Sequence, residues 1–341
     1  MRFYIICYFC TIKIYFMNRL FVIFFILSLF FSCQWGQSDF IPMGSEPVNI
    51  DHFDRVFFSM DSLNLSKEIK KLKNDFPYFF SSDQSDDMLI SRFYDPQIRE
   101  LSNSVDSLFG KTDVLELEIQ ESFEYFYHYF PHIDSFTLYT WVSNFESLEP
   151  ILVSENTLLL ALDMYLGSSS HYYRSAPKYI RNSFQQEYIL PNIFYYYFSS
   201  HIPLFKDNSF LSSMLHYGKI HYLSALMIPL RDQKNLMCYS EEKMVWAKNN
   251  EANVWAYFVE NSILFSTDQK NKLDFISDAP FSKFSTSWQT QSPGRIGQWI
   301  GWRIIDSYMS MHPELTLTDL ITEQDAQKIL RESQYKPKSK R

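Results

Sequence analysis

The sequence predicts an α+β fold, a mainly helical domain with a small sheet in its first half, and three observations predict it. Ser135–Val142 (SFTLYTWV) and Thr157–Leu166 (TLLLALDMYL) are rich in Thr, aromatic and aliphatic residues, and read as buried strands, the second closed by Gly167. From Gly167 almost to the C-terminus, apolar residues recur at helical spacing. The chain has 341 residues, 46% of them hydrophobic and 18% aromatic, which is enough for a sizeable core.

The elements follow in order. Residues 34–50 (QWGQSDFIPMGSEPVNI) mix Gly, Pro and Ser without periodicity and read as a tether within a 33–50 linker. Asp51–Phe58 (DHFDRVFF) reads as a short first strand or docked edge segment. Asp61–Phe76 spaces Leu63, Leu65, Ile69 and Leu72 as a helix that ends before Pro77. Pro96–Phe109 and Asp113–Phe130 read as amphipathic helices separated by Gly110, the second stopped by Pro131. The second half gives helices over Ser183–His201, Ser209–Leu226, Glu241–Phe265, Gly294–Met311 and Thr318–Glu332. Ser240 caps the third of these, with Glu241 and Glu242 favourable in its first turn. There is no internal repeat. Residues 51–335 are expected to form a single domain, and 336–341 (KPKSKR) a basic, solvated tail.

Composition excludes several classes. Only 8 Gly against 32 Phe and 23 Tyr rules out disorder and collagen-like repeats. A net charge of −8 with scattered basic residues excludes nucleic-acid binding by bulk charge. The one long apolar run lies at the N-terminus, so the chain does not cross a membrane repeatedly.

That N-terminus reads as an address. Arg2, Lys13 and Arg19 are its charges, and Leu20–Phe31 is an apolar stretch that as a helix reaches only ~18 Å, short of a ~30 Å hydrocarbon core. Residues 1–32 therefore read as a signal peptide, starting at Met1 or Met17, with a signal anchor as the alternative if Met1 is the start. Ser32-Cys33 follows directly and looks like a bacterial lipobox, although Phe30 and Phe31 stand where Leu and a small residue are usual. Cys33 would be lipidated, and two or more acyl chains would hold the domain stably on a membrane. The other reading is an ordinary signal peptide with a chance Cys. Processing at Cys33 removes Cys7 and Cys10 and leaves Cys238 as a single thiol, which cannot form an intramolecular disulfide.

No catalytic constellation emerges. Metalloprotease chemistry needs His-Glu-x-x-His on a helix, and that motif is absent. His128 and His132 have the spacing, but Pro131 intervenes and Tyr129 stands where Glu should be. His216 and His221 lie about 140° apart around a helix. There is no Gly-x-Ser-x-Gly elbow and no Gly-rich phosphate loop. Neither metal nor cofactor is expected. The most unusual chemistry is Ser292–Trp302 (SPGRIGQWIGW), in which Gly297 and Gly301 share a helix face. Each Gly costs ~1 kcal/mol relative to Ala, which points to a packing or binding reason. Arg295, Trp299 and Trp302 could line a groove there; the other reading is a tight helix–helix contact in the core.

Continued as Ser292–Met309 (SPGRIGQWIGWRIIDSYM), this segment closely resembles the C-terminal signature of the gliding-motility lipoprotein GldB family of Bacteroidetes. Phe53–Phe58, Leu162–Gly167, Asn250–Phe258 (NEANVWAYF) and Ala279–Phe284 (APFSKF) agree with it, in order along the whole mature chain. The resemblance implies a membrane-anchored lipoprotein required for gliding, working with other gliding or secretion-machinery proteins, in the cell envelope facing the periplasm or the cell surface. It also implies a distant likeness to zincin-type peptidases, hence a degenerate zincin-like scaffold. The matching region is Tyr197–His201, where only the final His remains, and Tyr217-Gly218, where Tyr replaces Glu. The expected function is non-catalytic, by protein–protein contact. The alternative is a lipid-anchored metallopeptidase-like hydrolase or peptide-binding protein, with His201, His216, His221 and Glu251 as cleft residues.

Overall fold

A computed structural model describes residues 48–80, 85–110, 113–146, 149–229, 235–285 and 289–338. The leader, Cys33, the tether up to residue 47 and residues 339–341 lie outside the described residues. The described residues form one compact unit. Its strands are β1 (Asn49–His52), β2 (Thr137–Trp141), β3 (Ile151–Ser154) and β4 (Thr157–Ala161). Its first helices are α1 (Phe53–Phe58), α2 (Leu65–Asp75), α3 (Asp86–Tyr94), α4 (Pro96–Phe109), α5 (Asp113–Tyr129) and α6 (Lys178–Arg181). The remainder are α7 (Ile189–His201), α8 (Phe210–Met227), α9 (Glu241–Glu260), α10 (Gln269–Phe275), α11 (Ile296–Met311), α12 (Leu317–Thr322) and α13 (Ala326–Ser333). The architecture is the one expected: mainly helical, with a small sheet in the first half.

The sheet has the order β1-β2-β4-β3, with β1–β2 and β2–β4 parallel and β3–β4 antiparallel. Alternation along the central strands decides what each face meets. Leu138, Leu158 and Leu160 point into the largest core, shared with α4, α5, α7 and α8. Tyr139 and Leu159 point the other way, into a cluster built by α1, α2 and α3 around Phe53, Phe57, Ile69 and Phe93. A third core joins α8 to α9, α10, α11 and α13.

Several expected boundaries move, each for a physical reason. Val48–Ile50, read as the end of the tether, belongs to the fold: Val48 is buried and β1 starts at Asn49. The stretch Asp51–Phe58 is strand only to His52; Phe53 and Phe57, four apart, both turn inward as a helical stripe. Thr157–Leu166 is strand only to Ala161, after which Leu162–Tyr165 forms a 3-10 turn. The predicted helix Thr318–Glu332 is two helices, because Thr316 and Asp325 each cap a separate start.

Helices α8 and α11 approach each other closely. A Cβ on Gly301 would sit 1.9 Å from the Met214 carbonyl oxygen, and one on Gly218 would sit 2.4 Å from the Gly301 carbonyl carbon. Backbone therefore packs on backbone, as the core-contact reading of the glycine pair expects. On an open helix Gly→Ala stabilises by ~1 kcal/mol. Here the sign should invert, and Gly301→Ala should lose roughly 2 kcal/mol or more in urea denaturation. A neutral or stabilised variant would show that the two backbones do not meet.

Candidate functional site

The loops before α9 and α11 leave a cavity of about 310 Å³ between them. Its floor is Tyr239, Pro293, Gly294 and Arg295, and its rim includes Lys178, Asp278 and Pro280. Three cations, Lys178, Lys243 and Arg295, face two carboxylates, Glu242 and Asp278, which makes the site locally basic in a chain of net charge −8.

Local sequence explains the shape. Ser282 donates from its hydroxyl to Pro293 O (2.8 Å) and from its amide to Ser292 Oγ (3.1 Å), which clasps the 279–284 and 292–296 stretches together. Gly294 permits the clasp, because a Cβ there would lie 2.1 Å from the Ala279 carbonyl oxygen. Two non-glycine residues in the left-handed region, Cys238 (φ 49°) and Arg295 (φ 56°), both line the cavity. Such conformations cost of order 1 kcal/mol or more each and gather at functional sites.

Arg295 is the centre of the site. Its side chain is only 19% exposed; Nε faces Asp278 Oδ1 at 3.0 Å and Nη2 donates to Met237 O at 2.8 Å. Nη1 has no hydrogen-bond partner among the described residues. Burial opposes the charge, but the Asp278 carboxylate and the neighbouring Cys238 and Tyr239 more than restore it, so the guanidinium stays firmly protonated. Burial pushes the Cys238 thiol up to about 11, with Arg295 opposing, and raises the Tyr239 hydroxyl well above its usual range. Lys243 donates to the carbonyls of Gln291 and Ser292, both at 2.9 Å, and so is spent on closing the loop.

The residues singled out in the sequence do not form one groove. Arg295 lines the cavity. Trp299 is buried, and its ring stands 5.5 Å from Trp302, which packs against both large cores. His221 is buried behind them, 6.4 Å ring to ring from Trp302. Gln298 Nε2 donates to Ile276 O, so its oxygen faces His221 Nε2 at 2.9 Å; that nitrogen carries the proton, and Nδ1 is a buried bare lone pair. Glu251 lies on α9 and accepts from Tyr335 Oη at 2.9 Å, with Arg303 at 3.5 Å. His201 ends α7 exposed, stacked on Tyr197, and His216 is buried on α8. Among the described residues no cluster of three or more His, Cys, Asp or Glu could hold a metal, and no helix is long and apolar enough to cross a membrane. Lys178, Tyr179, Cys238 and Asp278, which complete the cavity with Arg295, were not grouped by sequence reasoning. They come from three separate segments, and no spacing links them.

Two of the stretches that carried the resemblance, Ala279–Phe284 and Ser292–Met309, are the two halves of this clasp. Matched to protein-family models, residues 39–337 fit the one described as gliding motility protein GldB. The chain belongs to the GldB family. Searches of curated proteins and of solved structures return no match, so the zincin likeness finds no support there.

The buried His221 ties stability to pH in this family member. Burial lowers its imidazole from 6.5 to about 4, the Gln298 hydrogen bond opposing. The fold thus holds His221 neutral while the unfolded chain protonates near 6.5. The contribution is present above about pH 6.5 and is lost as pH falls toward 4. Between pH 7 and 4.5 the native chain should lose roughly 2 kcal/mol more urea stability than His221→Gln does. Equal losses would mean that His221 is not held neutral.

Proposed function

We propose that this chain is a lipid-anchored envelope component of the gliding apparatus, attached through Cys33, that acts by protein contact and not by catalysis. Membership of the GldB family over residues 39–337 carries the gliding role. The arrangement around Arg295 supports contact over turnover. A general base or nucleophile works best with a pKa near the operating pH, whereas burial drives the Cys238 thiol to about 11 and His221 to about 4. Lys219 is moved toward neutrality, to about 8, but it is buried in α8 and committed to the carbonyl of Glu323 at 2.6 Å.

The anchor fits the domain's first residues. Val48 is the first described residue and is already buried. The segment between Cys33 and Val48 spans at most about 50 Å when extended, enough to let the domain stand off a bilayer. Other envelope proteins of the gliding or secretion machinery are the partners this reading calls for.

In a gliding strain that depends on this chain, Cys33→Ala should leave the domain folded, release it from the membrane fraction and abolish gliding. Normal gliding with the released protein would contradict the anchor. Elemental analysis of the chain from Gln34 onward, with zinc added, should give substoichiometric metal. Stoichiometric zinc with peptide turnover would replace the contact reading with a hydrolytic one.

A further inference from the structure

The cavity beside Arg295 holds polar groups with nothing to do. Arg295, Lys178 and Asn182 all line it, and Arg295 Nη1, the Lys178 ammonium and the Asn182 side-chain amide have no hydrogen-bond or ion-pair partner among the described residues. The one carboxylate on Arg295, that of Asp278, is 73% exposed while the guanidinium is 19% exposed. A buried guanidinium requires a counter-charge, yet an ion pair whose acid is mostly in water contributes little and is readily exchanged.

We propose that this cavity receives a carboxylate carried on a peptide segment of a partner protein, and that Asp278 holds its place in the free protein. The proposal rests on the protein-contact reading above. The guanidinium fork suits a planar carboxylate, binding through two parallel hydrogen bonds. Lys178 at the rim supplies the second charge and Asn182 a neutral donor. Glu242 also lines the cavity and penalises a doubly charged anion such as phosphate. A peptide is favoured over a free acid because apolar surface lies beside the cations. The Tyr179 ring, Pro280 and Pro293 would cover the residues flanking the acidic one, and about 310 Å³ exceeds what a lone carboxylate fills.

The chain from Gln34 onward contains the whole compact unit, and its Arg295 Nε–Hε signal reports on the site by nuclear magnetic resonance. The probes are acetyl-Pro-Asp-Tyr amide, its Asn counterpart and acetate. The Asp peptide should shift the Arg295 signal saturably, at least tenfold more tightly than the Asn peptide or acetate. Asp278→Asn, which removes the competitor, should tighten the Asp peptide about two- to fivefold. Lys178→Ala, at an exposed position, should weaken it without moving the thermal midpoint. Equal binding of the Asp and Asn peptides, acetate as tight as the peptide, no shift at Arg295, or an Asp278→Asn variant with unchanged affinity would each overturn the proposal. Such a failure leaves the protein-contact reading standing, since that reading falls on zinc content and turnover.

Discussion

The contact between α8 and α11 is the constraint on which the rest of the structure depends. Because Gly218 and Gly301 let the two backbones touch, the sheet-side core and the C-terminal core share one wall, and Tyr217, Trp302 and Leu317 pack against both. The first turn of α11 is held by the end of α10 and the loop after it. Gly297 admits Ile276 and the Phe275 carbonyl, and Ile296 N donates to the Ser282 hydroxyl at 3.3 Å. Arg295, the residue before α11, takes a left-handed backbone conformation and lines the cavity.

Several interior polar groups are met by the end of a secondary-structure element or by a neighbouring side chain. Lys219 on α8 reaches the carbonyls that end α12, with the Phe205 ring 4.5 Å away. Asp163 is fully buried and accepts from the amide and hydroxyl of Ser143, at 2.8 and 2.9 Å, where β2 ends. Where β1 ends, Thr140 of β2 donates to Asp54 at 2.5 Å and meets His52 Nδ1 at 2.9 Å, while His52 Nε2 faces Glu116 at 2.9 Å. That chain ties β1, the strand that follows the tether, to α1, β2 and α5. A pull arriving through the N-terminal segment is therefore spread over three other elements.

Much of this was legible in the sequence, and what was not has a physical cause. Pro96–Phe109 is bounded by Asp95, which caps the helix through its side chain, and by Gly110, so both ends could be read locally. The glycine pair of α11 announced a close approach because mid-helix glycines carry a cost. Strand β3 escaped notice because it has only four residues, Ile151–Ser154, and gains its partner only when β4 folds back on it. Helix α3 starts after the Ser85 cap with two aspartates in its first turn, but without a strong apolar stripe. The cavity was half visible: Arg295 stood in a conspicuous motif, but Lys178 and Asp278 are ordinary surface residues until the fold brings them to it. His221 and Trp299 caught attention as unusual residues, and the seam between the cores is where the fold uses them.

The proposed role of this GldB-family chain is to grip a partner through the Arg295 cavity while anchored in the envelope. The most direct measurement replaces the chromosomal copy in a gliding strain with Lys178→Ala combined with Arg295→Lys, and follows gliding speed at matched protein level in the membrane fraction. Normal anchoring with gliding lost is the expected result. Full-speed gliding by cells carrying a stable, anchored double variant would contradict it.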